Sequence, residues 1–447
     1  MKIHPLIKGT LLLTLTGMFS RLLGFFYRIY LSRTFGEEGM GLYQLLGPIL
    51  ALTFSLCGAG IQTSISKYVA AKSAAFTQDL IAKRQALSFW LAGVLQAGAL
   101  SVLCSFILYT NAEFLASHFL LEPRCASMLR ILALSIPFSA LHACSNGYFY
   151  GISKAGVPSA TQIIEQLGRF GCVFVVQHAA TKLRMDIHIN TAVVGLVFGE
   201  AFATLISLTI MLKECSFVHS YSIKHALRMQ ERPGIMLAKM ALPLSSSRIV
   251  VNLLQSIEAV QIPSRLQTYG YTNSDALSMY GVLTGMALPF ILFPTALSNS
   301  LSVLLLPMVA AAQAKKDIQK LKRITHTAIL FSSLWGILCT IFFLSISDFA
   351  GEKMFHSPLA SGFISTLSFI CPFLYLSSTM SSILHGLGKT GITFTLNVTA
   401  LLIRLAFVFG LVPRFGIEGY LWGLLLSHFS TTLMEVWATK RQICKGV

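Results

Sequence analysis

Long apolar stretches, separated by short polar connections, run along the whole chain. Twelve stretches of about 20 residues each can be counted. They lie near 9–31, 41–65, 86–110, 127–150, 156–179, 191–212, 236–262, 278–306, 324–346, 359–384, 391–412 and 419–439. As an α-helix, each is long enough to cross a hydrocarbon core of roughly 30 Å. The pattern therefore predicts an all-α, polytopic integral membrane protein with about 12 transmembrane helices.

The composition agrees with this prediction. Of 447 residues, 54% are hydrophobic and only 11% are charged, and no connection is long enough to hold a soluble catalytic domain. The first stretch is longer than the apolar core of a secretory signal and contains two Arg, so we expect it to be retained. The nine Cys are scattered singly without a CxxC pair, so the sequence predicts no disulfide framework, metal site or cofactor.

The net charge of +17 is distributed unevenly. Alternate connections, together with both termini, hold 21 of the 34 Lys and Arg, and the other connections hold seven. The positive-inside rule then predicts a protein of the cytoplasmic membrane with both termini in the cytoplasm, and this distribution argues against nucleic acid as a partner. The remaining six are Arg residues inside apolar stretches: Arg21, Arg28, Arg130, Arg169, Arg248 and Arg404. Arg130 lies near a helix end, from which we expect it to reach the headgroups.

An internal repeat is visible when two segments are compared. GISKAGVPSATQIIEQLGRFGCVFV begins at Gly151, and GLGKTGITFTLNVTALLIRLAFVFG begins at Gly386. Seven identities share the offset of 235 between them: Gly151/Gly386, Lys154/Lys389, Gly156/Gly391, Leu167/Leu402, Arg169/Arg404, Phe174/Phe409 and Glu200/Glu435. Weaker similarities relate Ser-Arg at 20–21 to 247–248, and Thr-Ser-Ile-Ser at 63–66 to Asn-Ser-Leu-Ser at 299–302. The chain is therefore predicted to be a duplication.

The duplication predicts the domain organisation. We expect an N-terminal six-helix bundle at 1–212, a basic cytoplasmic linker at 213–235 and a C-terminal six-helix bundle at 236–447. An even number of spans returns the chain to its starting side, so the two bundles form a parallel repeat. Parallel repeats place a substrate site near the bilayer midplane, at the interface between the bundles.

Polar side chains recur at helical spacing around five of the intramembrane Arg residues. The four stripes are Thr10, Thr14, Gly17, Arg21, Gly24 and Arg28; Pro158, Gln162, Glu165 and Arg169; Arg248, Asn252, Gln255 and Ser256, with Glu258 at the margin; and Thr393, Asn397, Ala400 and Arg404. Such faces are expected to line a hydrated cavity, because lipid would leave their donors unsatisfied. The alternative is helix-to-helix packing, with Glu165 and Arg169 forming only an internal ion pair.

The balance of these charges indicates the ligand. Five Arg exceed three clear carboxylates, and Arg binds phosphate or carboxylate bidentately, so the surplus favours an anionic substrate. The candidate substrate-binding residues are Arg21, Arg28, Arg169, Arg248, Arg404, Glu165, Asn252 and Gln255. The candidate ion-coupling residues are Glu165, Glu200 and Glu258. GLGKTG at 386–391 is not a P-loop, since Ile383 stands where the first Gly is required.

Several segments together resemble one family. They are SRLLGFFYRIYLSRTFGEEGMGLYQL, GYFYG at 147–151 leading into PSATQIIEQLGR, QSIEAVQIPSRL at 255–266, YGVLTGMALPF at 280–290 and NSLSVLLLP at 299–307. They resemble the stage V sporulation protein B and polysaccharide-biosynthesis branch of the multidrug/oligosaccharidyl-lipid/polysaccharide exporter superfamily. The resemblance implies two six-helix bundles in a V shape and an alternating-access flippase. It also implies a lipid-linked, pyrophosphate-bearing sugar as cargo, with Arg21 meeting the pyrophosphate.

Transport of this kind needs an energy source. The membrane potential, worth about 2.3 kcal/mol per charge per 100 mV, is one candidate, and a coupled H⁺ or Na⁺ is the other. A cation-coupled multidrug antiporter on the same scaffold remains an alternative, and it predicts an acid-rich, Arg-poor cavity. A membrane enzyme would need clustered carboxylates or His, which the sequence does not show, so we expect no enzymatic activity. A scaffold for a cell-wall or sporulation complex also remains open.

Overall fold

A computed structural model describes residues 5–73, 80–184, 187–216 and 232–444. Each of the twelve apolar stretches is helical, and the described residues contain no β-strand. The all-α prediction is confirmed. Its physical basis is that only intrahelical hydrogen bonds satisfy the backbone of such apolar segments in lipid. The side chains of Thr10 and Thr14, and residues 217–231 of the predicted linker, lie outside the described residues.

The described residues of the first half form eight helices and two π-helical turns. The helices are α1 Pro5–Phe54, α2 Gly60–Ser73, α3 Leu80–Thr110, α4 Ala112–Phe114, α5 Cys125–Ala133, α6 Ser135–Gly151, α7 Gly156–Leu183 and α8 Asn190–Ser216. The π-helical turns are Ser55–Ala59 and Leu115–Phe119.

The second half repeats this arrangement with more breaks. Its helices are α9 Pro233–Tyr269, α10 Asn273–Gly281, α11 Leu288–Leu292, α12 Thr295–Ala314, α13 Ile318–Asp348, α14 Pro358–Ser368, α15 Cys371–Gly386, α16 Thr390–Gly410, α17 Val412–Phe415 and α18 Ile417–Cys444. Its π-helical turns are Val282–Ala287 and Phe349–Phe355.

Seven helical segments of the described residues are long and apolar enough to cross a membrane, or up to nine if each of two bent helix pairs is one span. The polytopic prediction is confirmed. This count is lower than twelve partly because α1 and α2 run together as one segment, Leu15–Ser73. Helices α7 and α18 are outside this set although each has 28 residues, and both carry polar side chains.

The chain divides into two compact units. Unit 1 contains Met1–Tyr27 and Leu45–Ser256, and unit 2 contains Arg28–Gln44 and Ile257–Val447. Helices α1 and α9 therefore each contribute residues to both units. Inside unit 2, α1 is interrupted at Gly36, where the backbone has φ 70° and ψ −174°. Only glycine adopts this conformation at low cost.

Unit 2 anchors the α1 segment that belongs to it through hydrogen bonds to a π-helical turn. Arg33 donates from Nε to the Met354 carbonyl at 2.8 Å and from Nη2 to the Lys353 carbonyl at 2.6 Å. The Ser32 hydroxyl donates to the Phe355 carbonyl at 3.0 Å. These carbonyls end the π-helical turn Phe349–Phe355, so the two side chains satisfy acceptors that the helix itself leaves open.

The repeat at an offset of 235 is visible in the structure of each unit taken separately. The π-helical turn Leu115–Phe119 of unit 1 matches Phe349–Phe355 of unit 2. The helix pair α5–α6 is bent by 41° and its counterpart α14–α15 by 56°. Deviations from regular helix at matching positions support the duplication.

Close packing at two glycines shows how α2 of unit 1 corresponds to α12 of unit 2. A Cβ on Gly151 would lie 2.7 Å from Val69 Cβ, and one on Gly386 would lie 2.9 Å from Val309 Cβ. These contacts pair α2 with α12 at an offset of 240. The sequence similarity between 63–66 and 299–302 has an offset of 236, which differs from this structural offset by about one helical turn. Residues four positions apart lie on nearly the same helix face, so the sequence similarity aligns residues that face the same way.

Candidate functional site

A polar cavity of about 250 Å³ lies inside unit 1. Helices α6, α7 and α8 bring His142, Glu165 and Glu200 to it, and their ligand atoms all lie within 4.8 Å of one another. Pro158 and Gln162 of the predicted α7 stripe also line it. The full lining is Phe54, Gln62, Ser139, His142, Ala143, Asn146, Tyr150, Pro158, Gln162, Glu165 and Glu200.

An ion pair neutralises one of the two carboxylates at this cavity. Arg169 donates from Nη2 to Glu165 Oε1 at 2.7 Å, and both side chains are largely buried. Glu200 Oε2 lies 3.6 Å from Nδ1 of His142. With a neutral imidazole, the formal charges of Glu165, Glu200 and Arg169 leave this group at −1. The structure therefore shows the internal pair that the i,i+4 spacing allowed, and it shows a second carboxylate beside it.

Helix α9 positions the next group of predicted site residues in unit 1. Asn252 donates from Nδ2 to the Ala51 carbonyl at 3.1 Å and to the Ser55 hydroxyl. These bonds satisfy the end of α1, so Asn252 makes a structural contact there. Arg248 and Gln255 are exposed on the same helix, and Arg248 forms no ion pair with the part of the chain that the structure describes.

The predicted Arg residues of α1 fall into different units. Arg21 belongs to unit 1 and its side chain is exposed. Arg28 belongs to unit 2 and is half-buried. Arg21 and Arg28 are seven residues, about two helical turns, apart on one continuous helix, so both lie on the predicted stripe although they belong to different units.

Unit 2 holds a second buried ion pair. Arg404 Nη2 lies 3.2 Å from Glu258 Oε2, and the Tyr420 hydroxyl donates to Glu258 Oε1 at 2.9 Å. Arg404 corresponds to Arg169 in the repeat, but its carboxylate comes from a different helix. Both members of the Arg169/Arg404 match are therefore paired with Glu, once within α7 and once between α9 and α16.

The carboxylates Glu200 and Glu435 also correspond, but their surroundings differ. Glu435 accepts a hydrogen bond from the Ser381 hydroxyl at 2.6 Å. At an offset of 235, Ser377 stands where unit 1 has His142, and Ser381 stands where it has Asn146. Unit 2 therefore offers a hydroxyl donor to Oε1 of its carboxylate, while Oε2 has no hydrogen-bond partner among the described residues; unit 1 presents an imidazole and an amide instead.

Sequence reasoning missed His142. Only 8% of the side-chain surface of His142 is exposed. The residue lies on an apolar helix whose sequence shows no metal-ligand spacing. The signal that was available is the pair His142 and Asn146 at i,i+4, which places both on the face of α6. The fold then adds Glu165 and Glu200 from later helices.

Comparison with known proteins extends these observations. The family described as polysaccharide biosynthesis protein matches residues 6–286. Stage V sporulation protein B of Bacillus subtilis (strain 168) is 25% identical over 435 residues, which are 96% of this chain and 82% of that protein.

Two solved structures share the fold. A multidrug resistance MATE family transporter of the MOP superfamily, in an inward-facing conformation, matches with a TM-score of 0.73 and 13% identity over 96% of this chain and 95% of that one. The lipid II flippase MurJ, in an inward closed conformation, matches with a TM-score of 0.70 and 17% identity over 97% of this chain and 89% of that one. Because the family match covers more than half of its residues, this chain belongs to the polysaccharide biosynthesis protein family.

Proposed function

We propose that this protein is a flippase that moves a lipid-linked sugar diphosphate, an oligosaccharide or cell-wall polysaccharide precursor, across the cytoplasmic membrane by alternating access. Membership of the polysaccharide biosynthesis protein family supports a glycan cargo. The likeness in fold to a protein named as a lipid II flippase supports a lipid-linked one. The intramembrane Arg residues support the diphosphate, because guanidinium groups bind phosphate oxygens in pairs.

Arg248 is the observation that carries the proposal. It lies near the middle of the 37-residue helix α9, its side chain is exposed, and the described residues offer it no carboxylate. An Arg near the centre of a membrane helix costs about 2.5–3.5 kcal/mol. A bound phosphate would offset this cost, whereas the charges of Arg169 and Arg404 are already offset by Glu165 and Glu258.

The other predicted residues take part unequally in this proposal. Arg21 is the second candidate for phosphate contact, as the family resemblance implies, and Arg28 and Gln255 are further candidates along the same stripes. Arg169 and Arg404 would bind the diphosphate only after they release Glu165 and Glu258, their present carboxylate partners. Asn252 supports the end of α1.

The test is translocation in proteoliposomes that contain a fluorescent lipid-diphosphate sugar, followed by chemical quenching of the outer leaflet. Arg248→Ala is expected to lower the rate at least tenfold, because a charge-assisted hydrogen bond contributes about 1.5–3 kcal/mol. Arg248→Lys keeps the charge and should retain part of the activity. Arg265→Ala is the matched control on α9, since its guanidinium stacks over Phe409 at 4.9 Å. If Arg21→Ala and Arg248→Ala both translocate like the parent, the proposed role of these residues is wrong.

The energy source is tested in the same vesicles. We propose coupling either to the membrane potential or to H⁺ or Na⁺, with Glu165 and Glu200 as candidate cation ligands in unit 1. Glu258 is a weaker candidate, because Arg404 and Tyr420 already occupy both of its oxygens. Imposing a potential, a pH gradient and a Na⁺ gradient one at a time identifies which of them accelerates flipping.

A multidrug antiporter is the second candidate function, favoured by the formal charge of −1 at the unit 1 cavity and by the MATE-like fold. It predicts uptake of organic cations into the same vesicles and resistance to cationic dyes on overexpression. Dye transport without lipid-diphosphate transport would replace the flippase proposal.

A further inference from the structure

An imidazole, His142, joins the carboxylates of Glu165 and Glu200 in one buried cluster at the cavity of unit 1. Three helices contribute one residue each, and all three ligand atoms come within 4.8 Å of one another. A tetrahedral metal bound at about 2.1 Å holds its ligands about 3.4 Å apart, so small side-chain rotations would bring these atoms to that spacing. The surrounding cavity of about 250 Å³ leaves room for water as a further ligand.

Unused hydrogen-bonding capacity at this cavity is a second, independent observation. The His142 side chain is 8% exposed, and its Nε2 has no hydrogen-bond partner among the described residues. The same holds for Glu200 Oε2 and for Asn146 Oδ1, which also belong to residues lining the cavity. Buried polar atoms are nearly always satisfied, so three such atoms at one cavity mark a place where water or a bound ion would complete their hydrogen bonding or coordination.

The chemistry of these donors selects the ligand. The two carboxylates and the amide oxygen alone would suit Na⁺ or Mg²⁺. Those hard cations prefer oxygen ligands, however, and would leave the imidazole nitrogen of His142 unused. Imidazole suits first-row divalent ions such as Mn²⁺ and Zn²⁺. Unit 2 provides an internal comparison, because Ser377 and Ser381 stand at the equivalent positions and its Glu435 has a hydroxyl donor and no imidazole at the position of His142.

We propose that His142, Glu165 and Glu200 form a binding site for one divalent transition-metal ion, with Asn146 as a candidate fourth ligand. The bound ion changes the formal charge of the group from −1 to +1, so it converts a cavity that repels phosphate into one that attracts an anionic oxygen. This role rests on the proposed function, in which the cargo carries a diphosphate. Metal binding itself is measured without cargo, so the two proposals fail separately.

The experiment uses the full chain, without a polyhistidine tag, in nanodiscs of neutral lipid after removal of metal. Mn²⁺ is titrated in, and the electron paramagnetic resonance signal of free Mn²⁺ reports binding. We expect one Mn²⁺ per chain, displaced by Zn²⁺, and pulsed spectra that show coupling to an imidazole nitrogen. His142→Gln and Glu200→Gln should each weaken Mn²⁺ binding at least tenfold, and Ser377→Ala and Ser381→Ala should leave it unchanged.

The result that overturns the proposal is equally direct. It fails if no stoichiometric Mn²⁺ binds, if bound Mn²⁺ shows no nitrogen coupling, or if both Gln variants bind Mn²⁺ like the parent. The nitrogen coupling is measured on the unmodified chain, so the test stands even if a variant does not fold. Size-exclusion chromatography of each variant establishes folding before titration.

Discussion

The buried group of Glu258, Arg404 and Tyr420 in unit 2 gives the sharpest prediction about stability. Glu258→Gln preserves the shape of the side chain and leaves an oxygen to accept the Tyr420 hydrogen bond. It removes the charge that faces Arg404 at 3.2 Å. We therefore expect the substitution to act almost entirely through the unbalanced guanidinium.

The structure sets the magnitude. Two unit charges 3.2 Å apart interact by about 5 kcal/mol at an effective dielectric constant of about 20. Breaking a buried pair on one side costs about 3–5 kcal/mol. Replacing the whole group removes the desolvation cost as well, so Glu258→Leu with Arg404→Leu and Tyr420→Phe, which leaves no hydroxyl without its acceptor, should be within about 1 kcal/mol of the parent in stability or more stable. Tyr420→Phe removes one interhelical hydrogen bond and should cost about 1 kcal/mol.

The assay is reversible unfolding in mixed micelles by titration with sodium dodecyl sulfate, followed by circular dichroism. Glu418→Gln is the matched control, since this Glu is exposed at the start of α18 in the same unit and should change the free energy of unfolding by less than about 0.5 kcal/mol. The reasoning is refuted if Glu258→Gln changes that free energy as little as Glu418→Gln. It is also refuted if the triple variant Glu258→Leu, Arg404→Leu, Tyr420→Phe is as unstable as the single Gln variant.

Three further predictions concern packing and hydrogen bonds. Gly151→Ala and Gly386→Ala should each destabilise by about 1–3 kcal/mol through overpacking against Val69 and Val309, whereas Gly391→Ala meets nothing within 4 Å and should not; thermal unfolding distinguishes them. Arg33→Met should lower the unfolding temperature through loss of its bonds to two carbonyls, and Arg33→Lys, which cannot fork to both, should restore only part of it. Asn252→Ala should cost about 1–3 kcal/mol of stability while lipid-diphosphate binding per folded molecule stays unchanged; weaker binding at full stability would show a ligand role instead.

The helices and the repeat were predictable because their signals are local. Apolar length alone located twelve stretches that are helical in the structure, and the identities around Arg169 and Arg404 predicted the offset of 235 that the turns Leu115–Phe119 and Phe349–Phe355 and the bent helix pairs share. The offset of α2 and α12 was not predictable from short similarity. It depends on which small residues admit close packing, as Gly151 and Gly386 do.

The partners of the site residues were harder to predict because they come from distant helices. Spacing showed that Arg169 reaches Glu165, but nothing local shows that Arg404 reaches Glu258 across 146 positions. The stripe containing Asn252 marked a polar face without showing that α1 already uses this amide. The role proposed for His142 depends on Glu200, which comes from a later helix and lies 3.6 Å away in the structure.

The contact of Ser32 and Arg33 with residues 353–355 has a consequence for biosynthesis. The donors and acceptors are separated by 320 to 323 positions, so the ribosome must finish most of the polypeptide before these bonds form. At about 5–20 residues per second, the earliest segment waits roughly 16–64 s for its partners. During that interval its guanidinium and hydroxyl groups need temporary hosts, such as lipid headgroups or the insertion machinery. Nascent chains halted before residue 349 should therefore leave Ser32 and Arg33 open to chemical labelling. Protection of these two residues from the label should appear only late in synthesis.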